Sequence, residues 1–277
     1  MTTSTAPGAV SRTRAVPPAA HRPGLRDALR SELTKMLSVR STYLTLFALM
    51  AASVGWAVLD CSGYADHGAS PGFNAASASL LGQVGLGQLI IVVLGALVIT
   101  SEYGTGMIGT SLAAMPRRGV LYAAKATAVA AVTLTISVVT SFLDFFVGQA
   151  ILSGKHLNIT LASPGALRAV LLSAAIVTVF GLIAYGAGAL IRHSAGAITA
   201  ILGMTFLTPL LAQALPNSWY ADLQRWMPGG GALNPIASSA SKHYIHLFNA
   251  WGEFAVFSGY AAVLLALGAW FFIRRDA

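Results

Sequence analysis

The chain has 277 residues, of which 56% are hydrophobic and only 9% charged, with a mean hydropathy of +0.70. Soluble domains carry about 25% charged residues, so this composition excludes an ordinary soluble enzyme and indicates a membrane protein. The net charge of +8 comes from basic residues clustered at the ends of apolar blocks, which is a topology signal and not a nucleic-acid-binding face.

Residues 1–24 are rich in Pro, Thr, Ala and Arg and lack the apolar core of a secretory signal; they read as a disordered cytoplasmic tail. Residues 25–277 read as one all-α membrane domain. From Leu25 to Arg40, the residues Leu25, Leu29, Leu33, Met36 and Leu37 share a helical face, while Arg26, Arg30, Glu32, Lys35 and Arg40 lie mostly elsewhere. This pattern predicts an amphipathic helix along the inner membrane surface.

A helix needs about 20 apolar residues to cross a bilayer. Six stretches are expected to do so, at about 42–59, 76–100, 120–152, 164–191, 195–215 and 254–273. The third is longer than one crossing requires and must tilt, break or project. Pro164 suits the first turn of the fourth span, and Pro209 predicts a kink in the fifth. The segment DCSGYADHGASPGFN after the first span reads as a polar loop. Residues 216–251, with Trp219, Tyr220, Trp226 and Tyr244 around a PGGG, suit interfacial or re-entrant structure.

With the N-terminus inside, Arg12, Arg14, Arg22, Arg26, Arg30, Lys35, Arg40, Arg117, Arg118, Lys125, Arg192, Arg274 and Arg275 are cytoplasmic, and only Lys155, Arg168, Arg225 and Lys242 lie outside. That asymmetry supports six spans with both ends cytoplasmic, in the plasma membrane.

Between the second and third spans the sequence SEYGTGMIGTSLAAMPRRG contains a G-x-G-x-x-G at Gly104, Gly106 and Gly109. A dinucleotide-binding fingerprint needs a strand before it and an acid about 20 residues later. Here a membrane-length apolar run precedes it and KATAVAAV has no acid, so that reading fails. A P-loop needs Lys followed by Ser or Thr; the lysines here are followed by Met36, Ala126, His156 and His243. The chain is therefore not expected to be an enzyme that hydrolyses ATP by that route.

Other candidates carry weaker signals. Cys61, the only cysteine, cannot form an intramolecular disulfide and reads as an inert thiol. Asp144 is an acid in an apolar run, placed by helical rise from Val120 near the outer interface as a solvated residue. Ser79, Gln83 and Gln88 make the second span polar, which suits either a substrate-cavity wall or hydrogen-bonded helix packing. Gly181, Ala184 and Gly188, and likewise Gly196, Ala200 and Gly203, form small-residue stripes suited to internal packing or a dimer seam. His243 and His246 lack a third metal ligand, so no metal site is expected. No Ser-His-Asp or paired-carboxylate constellation forms on one membrane side, so no catalytic residue is assigned.

The segment from Glu102 resembles the loop of the type-2 permeases of ATP-binding cassette (ABC) exporters. Their second span ends in Glu-Tyr or Glu-Phe, then come Gly-Thr, a short helix, Pro-Arg-Arg and a downstream lysine, here Glu102, Tyr103, Gly104, Thr105, Pro116, Arg117, Arg118 and Lys125. The family's Ile-Arg-x-Thr reads Met107-Ile108-Gly109-Thr110 here, without the arginine. The stretch SELTKMLSVRSTYLTL is similar to the family's amphipathic first helix, with Glu32, Lys35, Arg40, Ser41 and Thr42.

The resemblance implies a permease subunit of an exporter moving an amphiphilic drug-like compound or peptide. It implies a second permease chain, expected to be an identical copy, and two cytoplasmic ATPase subunits that carry ATP and Mg; no cofactor binds this chain directly. Coupling would fall to Glu102, Tyr103, Gly104, Thr105, Thr110, Pro116, Arg117 and Arg118, with Glu32 and Lys35 as a second contact. The substrate path would involve Ser79, Gln83, Gln88, Phe206 and Thr208. The rival class is a non-transporting membrane scaffold or an ATPase-independent channel.

Overall fold

A computed structural model describes residues 24–68, 73–207 and 249–274, together with Leu210 and Trp219. Among the described residues every regular element is helical: α1 (Leu25–Ser38), α2 (Arg40–His67), α3 (Ala75–Gly82), a π-helical turn (Gln83–Gly87), α4 (Gln88–Gly104), α5 (Met107–Ala114), α6 (Arg118–Ser153), α7 (Ala166–Ile191), α8 (Ser194–Leu202) with a second π-helical turn (Gly203–Leu207), and α9 (Ala250–Arg274). Five helices, counting α3 through α4 as one, are long and apolar enough to cross a membrane.

Five of the six expected spans appear, with shifted edges. The first is longer than apolarity alone indicated, because residues 60–67 stay helical until Gly68, whose φ of 84° ends the helix. The second carries a π-turn that periodicity does not announce. The third is one unbroken helix of 36 residues, so it projects instead of breaking. The fourth starts at Ala166, two residues after Pro164. The fifth is described only to Leu207, so its outer half, Pro209 and Thr208, and most of 216–251 with His243 and His246 lie outside the described residues, as does the tail before Gly24.

α7 is the centre of the bundle. Its apolar window is 72% buried, against 22% for α2 and for α9, and it packs on α4, α6 and α9. The approach to α4 is close enough that a Cβ on Gly95 would run into the Gly181 carbonyl. The Gly181–Gly188 stripe is therefore an internal seam between α7 and α4. Toward one end Tyr185 donates to the Tyr122 carbonyl at 3.0 Å and Tyr122 donates to the Leu265 carbonyl at 3.0 Å. These bonds tie α7, α6 and α9 where hydroxyls would otherwise be buried without partners.

Val39 breaks α1 from α2 with an extended backbone. This one-residue elbow lets α1 turn away from the axis of α2 and pack on α6. α1 does bury one face, but with a different membership from the periodicity reading. Ala28, Glu32 and Met36 are buried, Leu29 and Leu33 are half-buried, and Leu25 and Leu37 are exposed. Glu32 points inward because its carboxylate has cations to meet there.

Candidate functional site

Four charged side chains from three helices meet at the end of the bundle that carries α1 and α5. Lys125 of α6 places Nζ 2.6 Å from Glu102 Oε1 on α4 and 2.8 Å from Glu32 Oε2 on α1. Lys35 Nζ lies 2.7 Å from the same Glu102 oxygen and 3.2 Å from Glu32 Oε1. Lys125 is fully buried and both glutamates are 4% exposed. Two cations and two anions in mutual contact leave no net charge, which is what makes their burial tolerable. Burial tends to lower the pKa of Lys35, but the hydrogen bond and charge of Glu102, with the charge of Glu32, outweigh it and raise the value above normal.

Glu102 also holds α5. Its Oε2 accepts a hydrogen bond from Ser111 at 3.3 Å, so one carboxylate joins α1, α4, α5 and α6. Gly106 makes the reversal into α5 with φ 71°, a backbone region that disfavours side chains. Ile108 and Met115 anchor the short helix by burial, and Pro116 follows Met115 before α6 begins. The other face stays open: Gly104, Thr105, Met107, Gly109, Thr110, Ala113, Ala114, Pro116 and Arg117 are exposed. The last turn of α4 is held a second way, by the Arg192 guanidinium 4.9 Å over the Tyr103 ring. Arg192 sits at the α7–α8 junction with φ 59°. Arg118 donates toward the Ile273 carbonyl of α9 at 3.5 Å.

The structure thus brings Glu32, Lys35, Glu102 and Tyr103 into one assembly with the α5 loop, while dividing their roles. Glu102 and Glu32 are inside and hold the loop in place; Gly104, Thr105, Thr110, Pro116 and Arg117 are outside. Lys125 is the member whose weight the sequence reading underrated. A lysine among alanines in an apolar helix needs a carboxylate at its own depth, and only a few acids in the chain can supply one. Ser111 and Arg192 carry no such signal.

A groove of about 360 Å³ opens beside the cluster, between the α1–α2 elbow and α4, lined by residues that include Lys35, Met36, Thr42, Leu94, Leu97 and Met107.

The candidate path residues are dispersed. Ser79 and Gln83 are fully buried and hydrogen-bonded inside the chain. Gln83 donates to the Ser137 carbonyl at 2.8 Å and accepts from Ser141 at 2.7 Å; Ser79 bonds the Ala75 carbonyl and receives Gln149 at 2.9 Å. In this packing they join helices and do not front an opening. Gln88 is 7% exposed, and its Oε1 has no partner among the described residues. Phe206 is on the outer surface, 49% exposed.

Asp144 requires a correction. It is fully buried and receives a hydrogen bond from Ser53 on α2, so it is not a solvated residue at the outer interface. Counting along α6 gives a residue's height but not what covers it, and here α2 packs over Asp144 through Ser53. No protein-family model matches the chain, and a search of curated proteins finds no match.

Proposed function

We propose that this chain is the permease subunit of an ATP-driven exporter of the ABC type-2 class, moving an amphiphilic drug-like compound or peptide out of the cell. In this reading the stretch that α8 begins is the fifth of six spans. The chain pairs with a second permease in the plasma membrane, keeps both ends cytoplasmic, and takes its energy from two ATPase subunits that hold ATP and Mg.

The observation that carries the reading is α5: a short helix between two spans, fastened from beneath by Glu102, Ile108 and Met115, with its outer face exposed. A loop held this rigidly cannot absorb a push from a partner. Force on Met107 or Thr110 would move α4 and α6 as bodies, and through Lys35 and Lys125 it would carry α1 along. An ordinary connecting loop has no need of a buried ion cluster. The groove beside the cluster supports the substrate class, since its volume and its lining of apolar side chains and hydroxyls, with Lys35, Glu32 and Glu102 at its charged edge, suit an amphiphile.

The test is co-purification with a cassette-class ATPase encoded beside the gene. Changing Met107→Asp, Thr110→Asp and Arg117→Glu together alters only exposed positions. The triple variant should keep the yield and melting temperature of the wild-type chain and lose the ATPase. Retention of the ATPase at wild-type stoichiometry would remove α5 as the docking element, and the reading with it.

A further inference from the structure

A second charged feature lies deep in the bundle and has no part in the ion cluster. Asp144 on α6 is fully buried, and its Oδ2 is met by the Ser53 hydroxyl of α2. Oδ1 is buried and accepts no hydrogen bond from any described residue. Ser53 lies about 20 Å along α2 from Arg40 at 1.5 Å per residue, roughly two thirds of the way across a ~30 Å hydrocarbon core. About 14 Å of α6 continues beyond Asp144 to Ser153 by the same rise.

An ionised carboxylate has about four acceptor sites, and here one is used. Among the described residues no cation forms an ion pair with Asp144. The polar groups that meet α6 along this stretch are Ser53 of α2, Ser79 and Gln83 of α3 and the π-turn, and Ser173 of α7, with Asp60 and Cys61 about two turns beyond Ser53 on α2. Two more hydroxyls on the same side of α6, Ser137 and Thr140, are fully buried and also lack partners among the described residues. At spacings of three or four residues they make one polar stripe with Asp144.

A lone carboxylate in a dry interior is one of the costliest arrangements a protein can adopt, and the standard relief is neutralisation. We propose that Asp144 is an intramembrane proton-binding site: in this packing it holds one proton, with Ser53 as its hydrogen-bond partner and Thr140 beside it. The step is a simple transfer in which hydronium gives its proton to the carboxylate and leaves as water; no other reactant is required. A hard metal cation is the poorer ligand. Ca²⁺ takes about 6–8 oxygens, and no group of three or more metal-ligating side chains occurs among the described residues. The proposal does not depend on the exporter reading, since it concerns α2 and α6 alone.

The full-length protein in liposomes provides the test, by infrared spectroscopy across a pH series in Na⁺-free buffer. The difference between the wild type and Asp144→Asn, whose neutral isosteric side chain preserves the shape of the site, should contain a protonated-carboxyl carbonyl band at neutral pH that shifts in D₂O and fades as pH rises. Dicyclohexylcarbodiimide gives a second readout, because it adds to a protonated carboxyl in an apolar setting. Mass spectrometry should then find the reagent's whole mass on the α6 peptide of the wild type and none on Asp144→Asn. A band of equal intensity in the wild type and Asp144→Asn, or a wild type lacking either band or adduct, means that Asp144 holds no proton and overturns the proposal. Loss of band and adduct on adding Na⁺ at constant pH would assign the site to a metal cation and overturn it equally.

Discussion

Lys125 is the residue on which the four-charge assembly depends, because it is the fully buried cation contacting both carboxylates. Replacing it with methionine preserves most of the side-chain volume but leaves Glu32 and Glu102 facing each other with Lys35 alone between them. Breaking a buried pair in this way costs about 3–5 kcal/mol, and thermal melting of the detergent-solubilised protein should register a loss of that order for Lys125→Met. Adding Glu102→Gln restores neutrality and should recover part of the loss. A double variant that loses the sum of the two single effects would show that the side chains do not interact. At this scale the sequence supplied the charges but not their pairing. Glu102, Glu32 and Lys35 were legible as motif positions. Which of them turns inward depends on the rotation of α1 about its axis, and helical periodicity alone put Glu32 on the polar face.

The decisive choice at the level of elements is the reversal from α4 into α5. Gly106 has φ 71° and open space where a Cβ would stand, so a side chain there is limited by backbone strain and not by crowding. Gly106→Val should cost about 1–2 kcal/mol through the left-handed backbone alone. It should also loosen the seating of Ile108 and the Ser111–Glu102 bond. Hydrogen exchange across 107–114 should quicken while the amides of α7, held by packing on three neighbours, keep their wild-type rates. Equal acceleration in both would mean that α5 is not a separately anchored element. The existence of the spans was readable from apolar length, since no other structure satisfies the backbone of such a stretch in lipid. Their ends were less legible. Residues 60–67 look like loop by polarity yet continue α2, because nothing before Gly68 forces the chain out of a helix. The π-turn at 83–87 leaves no trace in residue pattern.

At the scale of the molecule, the basic side chains among the described residues sort by end. α5, the ion cluster, Arg118 against Ile273 and Arg192 against Tyr103 are gathered at one end, whereas Lys155 and Arg168 flank the α6–α7 connection at the far end of helices that span 36 and 26 residues. The positive-inside rule predicts that the α5 end is in the cytoplasm, the orientation that the proposed reading needs for a cytoplasmic ATPase to reach Thr110. Cysteine labelling on intact cells decides it. The native Cys61 is buried and is removed as Cys61→Ala; Thr110→Cys and Lys155→Cys then place single thiols at exposed positions on opposite ends. A membrane-impermeant maleimide should label Lys155→Cys at once and Thr110→Cys only after the cells are permeabilised. The reverse pattern would put α5 outside, where no ATP-hydrolysing partner exists to push on it. The ion cluster would then have to be understood as a structural clamp alone, because Glu102 would still join the same four helices but would have no motion to transmit.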